Sequence, residues 1–118
     1  MSSYIALVIG AILGTSFRYL CILLNFTILG LPSATILVNI IGSAMAGYFL
    51  NKFNGALYIF VYVGFFGSFT TLSSFNMELF TLLSDKSFIK SLIYFSFNIF
   101  ISFIFFYLFH MISLRFAN

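Results

Sequence analysis

Apolar residues run along this chain in four long blocks, at about 4–24, 33–50, 56–83 and 88–114, separated by short polar breaks. Each block reaches or nearly reaches the roughly 20 residues that span a bilayer core as a helix. Hydrocarbon offers no hydrogen-bond partner to an open strand, so the blocks are predicted to be helices. The pattern therefore predicts an all-α membrane protein, one domain over residues 1–118, with four transmembrane helices. The breaks carry turn chemistry. Gly30-Leu31-Pro32-Ser33 places a proline where the second helix starts. Asn51-Lys52-Phe53-Asn54-Gly55 ends that helix with residues that tolerate a left-handed cap, and Ser84-Asp85-Lys86-Ser87 is a tight turn before the fourth. No internal repeat is visible.

Composition supports lipid as the main solvent. Hydrophobic residues make up 63% and charged residues 6% of the chain, whereas a soluble domain carries about a quarter charged residues. The lone Cys21 lies in an apolar run and reads as a small packing residue. The first block lacks a basic start and is too long for a cleavable signal peptide. The net charge of +3 is scattered rather than gathered on one face, which argues against nucleic acid as a partner. With four spans, Lys52 and Arg115 fall on one side and Lys86 and Lys90 on the other. The positive-inside rule needs an asymmetry and finds none. Insertion in both directions is thus expected, with two opposite copies pairing about an in-plane twofold axis as an antiparallel, dual-topology dimer.

Polar and small residues inside the spans supply the candidate chemistry. Gly10 and Gly14, and in helix 2 Gly42 with Ala46 and Ser43 with Gly47, lie four apart on helix faces and read as close-packing surfaces. Arg18 stands about a turn and a half inside helix 1. Either it snorkels to the interface, or it is a cation at an aqueous vestibule that attracts anions. Glu78 is at similar depth on the same side, so an Arg18–Glu78 contact is expected. Asn39 in helix 2 either ties helices together or donates N–H groups to a water-stripped anion. In helix 3, Gly64-Phe65-Phe66-Gly67-Ser68-Phe69-Thr70-Thr71-Leu72-Ser73-Ser74-Phe75 combines two glycines with five hydroxyl residues. That is a poor helix and a good interruption near the membrane midplane. Freed carbonyls at Gly67 and Thr70 would suit a hard cation such as Na⁺; alternatively the segment is a kink satisfied by neighbouring hydroxyls. In helix 4, Tyr94, Asn98 and Ser102 are spaced four apart and form a polar stripe, with Ser96 off it. His110, near the end of that helix, reads as an interface residue.

Together these motifs resemble the Fluc/CrcB family of fluoride channels over the whole chain. Gly10 to Tyr19 is similar to that family's glycine-rich opening, Asn39 with Gly42 to its helix 2 motif, and Gly64 to Phe75 to its helix 3 break. The resemblance implies a cell-membrane protein that lets fluoride leave passively and protects from fluoride toxicity, built as a dual-topology dimer with a structural Na⁺ at its centre. It implies Na⁺ ligation by the carbonyls of Gly67 and Thr70. It places Asn39, Thr71, Ser74, Phe75, Tyr94, Asn98 and Ser102 along the fluoride pathway, with Arg18 at the vestibule. Phe75 would be one of two ring-edge phenylalanines; the first such position is Leu72 here. Ala11 replaces a usual glycine, and Asn98 stands where a hydroxyl residue is common. These departures leave open whether the chain forms a homodimer or pairs with a related subunit that keeps the missing ring.

A fluoride pore must replace a tight water shell with several weak sites, and amides, hydroxyls and ring edges offer them without trapping the ion. A small multidrug-type, proton-coupled antiporter would also have four helices, but it needs an embedded carboxylate, and helix 1 has none. A non-transporting assembly subunit would account for the packing faces but not for residues 67–75. No nucleotide loop, catalytic dyad or His/Cys cluster points to an enzyme.

Overall fold

The computed structural model describes residues 2–117. Helix α1 spans Ser3–Leu23 and is capped by the Ser2 hydroxyl, which accepts from Ile5 N at 3.2 Å. A two-residue hairpin follows. Strand β1, Thr27–Ile28, pairs antiparallel with β2, Leu31–Pro32. Leu29 and Gly30 at its turn both have positive φ, 56° and 75°, as a tight primed turn demands. The sequence reading put only a helix start here; Pro32 turns out to be the residue before α2, whose helical residues are Ser33–Tyr48. Helix α3 runs from Gly55 to Phe69, with π-helical turns over Ile59–Phe66. Thr70 then adopts extended backbone (φ −79°, ψ 159°), and α4 covers Ser73–Ser84. Helix α5 covers Phe88–Ala117, with a π-helical turn at Phe97–Ile101.

Three stretches are long and apolar enough to cross a membrane: Ser3–Leu23, Gly55–Ser84 and Phe88–Ala117, with mean hydropathies of 1.9, 1.5 and 2.1. Helix α2 has only 16 residues but is apolar too. Half of its positions are buried, Thr35, Ile36, Val38, Asn39, Gly42 and Gly47 among them, so it is the inner helix of the bundle. The other helices cover it and turn large apolar side chains outward: Tyr4 and Leu20, Phe80, Ile89, Phe103 and Phe116 are all exposed. A surface of that kind is stable only against lipid.

Small residues set the helix spacing. A side chain at Gly10 would strike the Phe60 carbonyl, one at Gly14 the Phe65 carbonyl, and one at Gly64 the Leu7 carbonyl at 2.8 Å. Rising numbers meet rising numbers, so α1 and α3 lie parallel with their backbones in contact. Gly47 does the same for α2 against the Phe106 carbonyl of α5. The C-terminal end of α2 is tied further by the Tyr62 hydroxyl, which donates to Ala46 O, and by His110, whose Nδ1 is 3.2 Å from Gly47 O.

Candidate functional site

The polar residues picked from three different spans converge on one place. Asn39 of α2 reaches the segment between α3 and α4, where its Oδ1 accepts from Thr71 N at 2.8 Å and its Nδ2 donates to Thr71 O at 3.1 Å. The second Nδ2 hydrogen goes to Asn98 Oδ1 of α5 at 2.8 Å, and Asn98 Nδ2 donates to Tyr94 O at 3.0 Å. Asn39 and Asn98 are only 9% and 5% exposed, so these bonds are made away from water, where leaving any out would be costly.

Helical hydrogen bonding is rerouted at this point. In a continuous helix, Thr71 N would close onto Gly67 O and Ser74 N onto Thr70 O. Here Thr71 N goes to Asn39, and Ser74 N takes the Thr71 hydroxyl at 3.2 Å. The carbonyls of Gly67 and Thr70 thereby lose their helical donors. The Ser68 carbonyl, in the last turn of α3, accepts from Arg18 Nε at 2.9 Å. A cation at a helix C-terminus is doubly suited, as a donor and as a counter-charge to the helix dipole.

The expected Arg18–Glu78 contact is not formed. Arg18 is held by Ser68, while Glu78 receives the Thr35 hydroxyl on Oε1 at 3.0 Å and the Tyr94 hydroxyl on Oε2. Equal depth in the bilayer did not imply adjacency: α1 packs on α3, whereas α4 turns Glu78 toward α2 and α5.

Two cavities flank the convergence. One, of about 210 Å³, is lined by Asn39, Ser43, Thr70, Thr71, Leu72, Phe75, Asn98 and Ile99. The other, of about 450 Å³, lies at the N-terminal end of α2 beneath the hairpin and is lined in part by Thr27, Ser33, Thr35, Ser74 and Glu78. Phe75 is 4% exposed; one of its faces stacks on Tyr94 (centroids 5.6 Å apart, planes at 13°), and Phe95 packs tilted at 49°. Tyr94, Asn98 and Ser102 are all buried. The π-helical turn between them helps, since its slower winding offsets the drift of a four-residue repeat in an α-helix. Ser102 lies beyond the first cavity and donates back to Phe97 O at 3.4 Å. Leu72, by contrast, is 66% exposed at the cavity mouth.

Sequence reasoning missed Thr35 as a site residue and misassigned Glu78. A signal existed: Thr35 precedes Asn39 by one helical turn on the same face, and Glu78 follows Phe75 by three residues. Among the described residues, no group of three or more His, Cys, Asp or Glu could hold a metal ion. A cation here would have to bind main-chain and hydroxyl oxygens, which suits a hard ion rather than a transition metal.

A bundle with a lipid-facing exterior and a buried polar centre defines a multi-pass membrane protein. Residues 5–109 match the family described as CrcB-like protein, Camphor Resistance (CrcB), and the chain belongs to that family. It is 42% identical over 85 residues to "Fluoride-specific ion channel FluC 2" of Prochlorococcus marinus, covering 70% of this chain and 69% of that one. It is 36% identical over 96 residues to "Fluoride-specific ion channel FluC" of Methanococcus vannielii (77% and 79% covered). To the protein of the same name from a Sulfurihydrogenibium species it is 32% identical over 112 residues, covering 88% and 90%. These relatives are named as ion channels, not as enzymes.

Proposed function

We propose that this chain is a subunit of a fluoride-selective channel that releases fluoride passively and so protects the cell from it. The observation that carries the reading is the buried junction of Asn39, Thr71 and Asn98 beside a cavity edged by Phe75, in a chain whose relatives are named fluoride channels. The Asn98 amide and the hydroxyls of Thr71 and Ser43 at that cavity offset dehydration in small steps. Tyr94 stacks on one face of Phe75 and Phe95 packs tilted against it, and in this reading the electropositive ring edge is what meets the anion. Ser74, with Thr35 and Glu78, lines the wider cavity toward the hairpin end. Arg18 adds positive charge on that side of the molecule and braces Ser68.

The working unit in this reading is an antiparallel dimer of oppositely inserted copies, meeting where helical hydrogen bonding lapses between Phe69 and Ser73, near the membrane midplane. The balance of Lys52 and Arg115 against Lys86 and Lys90 supports dual insertion. A structural Na⁺ fits the donor set at that point. Gly67 O and Thr70 O are hard oxygens whose helical amides are engaged elsewhere, so they would hold the ion, which supplies a fixed positive potential when bound.

Leu72 gives one observation in favour of a second assembly. An exposed leucine stands at the cavity mouth where the resemblance implies a ring, so a related subunit could supply it in a heterodimer. The test is efflux from liposomes holding the purified chain alone, read with a fluoride electrode. Fluoride release that needs no proton gradient, with chloride retained, is the expected result. Drug–proton exchange in place of fluoride release would overturn the reading. Fluoride release only after a related subunit is added would select the heterodimer.

A further inference from the structure

The cation part of the proposed function gives Asn39 a role other than donating to the anion. Its carboxamide pairs with both polar groups of Thr71, much as a neighbouring strand would. The amide so captured is the one that a continuous helix would deliver to Gly67 O. Its last hydrogen is anchored on Asn98 Oδ1, which fixes the orientation of the amide. Every donor and acceptor direction used to hold Thr71 is therefore specified by two buried side chains from two other helices.

We infer that Asn39 is a positioning residue for the cation site: by drawing the Thr71 amide to itself, it keeps the Gly67 carbonyl open to the ion, and Asn98 locks it in that orientation. The inference rests on the reading of Gly67 and Thr70 as cation ligands. It also explains why both hydrogens of an amide beside the cavity are spent on protein acceptors, leaving Asn39 no N–H for an anion. Without the Asn39 oxygen, Thr71 N is free to swing back onto Gly67 O and continue the helix. The carbonyl would then meet an N–H where it had met a cation.

The test uses the purified full-length protein in detergent. Its melting temperature is followed as NaCl replaces N-methylglucamine chloride at constant ionic strength. Wild type is expected to gain stability with Na⁺, because an ion that binds only the folded form shifts unfolding by mass action. In Asn39→Leu, similar in shape but with no acceptor, the Na⁺ midpoint should rise by about ten-fold or more. Asn39→Asp keeps an oxygen in the place of Oδ1 but loses both Nδ2 donations, so it should keep a Na⁺ response with a midpoint between those of wild type and Asn39→Leu. A simple packing role would make the two variants fail alike, and that result, or a wild-type midpoint in Asn39→Leu, would overturn the inference. If Asn39→Leu does not fold, Asn98→Leu leaves the Thr71 pairing but removes its lock. A raised midpoint there supports the inference, and an unchanged one overturns it. A wild type indifferent to Na⁺ would instead sink the cation reading itself.

Discussion

Arg18 shows how one side chain is decided by its nearest unpaired group rather than by opposite charge. The last turn of α3 leaves carbonyls without amides, and Ser68 O is within reach of the guanidinium at 2.9 Å. Glu78 has its own partners in Thr35 and Tyr94 and offers Arg18 nothing. Replacing Arg18 by Gln, too short to reach, should therefore destabilise the folded protein by about 1–3 kcal/mol, the cost of orphaning a half-buried acceptor bonded to a charge. Thermal melts in detergent measure this, and Glu78→Gln should leave the Arg18 contribution intact. A loss in the double variant equal to the sum of the two single losses is the expected sign that the two residues are uncoupled. That Arg18 mattered was legible from the cost of an intramembrane cation. Its partner was not, because Ser68 is 50 positions away and is reached only once α1 and α3 have docked in register.

Among elements, the turn between α4 and α5 ends a helix in the left-handed way without glycine. Lys86 has φ 58°, and the amides of Lys86 and Ser87 return to the carbonyls of Leu83 and Leu82 at 3.0 Å each. A side chain at that φ carries steric strain that glycine lacks. Lys86→Gly should accordingly raise stability by roughly 0.5–1 kcal/mol, seen as a higher melting temperature; a fall would show that the lysine makes a contact worth more than the strain. The polar composition of Ser84-Asp85-Lys86-Ser87 announced the turn, and Asn51, at φ 64°, follows the tolerance expected of asparagine. The hairpin at Thr27–Pro32 was not announced. Its strands are two residues each, too short for any alternation to register, and its turn begins with Leu29 rather than Asn or Gly. The π-helical turns were equally silent in the sequence; each holds a residue bonded to α2, Tyr62 to Ala46 O and Asn98 to Asn39.

For the whole molecule, the backbone contacts of α1 with α3 and of α2 with α5 leave little freedom in the bundle, while the proposed dual insertion rests on the balance of its outer charges. With Lys52 and Arg115 opposed by Lys86 and Lys90, a single cysteine at Asn54, in a Cys21→Ser background, should react with impermeant maleimide from both faces of the membrane. The two labelled fractions should be of similar size in sealed vesicles of known sidedness. Labelling from one face alone would remove dual topology. Adding lysines at that loop only should then shift the ratio toward one orientation.

Read without a fold, the residues already determined four apolar blocks, the faces of Gly10–Gly14, Gly42–Ala46 and Ser43–Gly47, and the stripe of Tyr94, Asn98 and Ser102. All of these follow from hydrophobicity and helical periodicity, which act within one segment. Tertiary structure alone decided that Asn39 would claim Thr71, that Asn98 would hold Asn39, and that Glu78 would turn to Tyr94. Those pairings join groups 16 to 59 residues apart. In a low-dielectric interior the choice among several polar partners is set by which carbonyls and amides the packed helices leave unpaired. Periodicity tells which face of a helix is polar; only the register between helices tells what that face will meet.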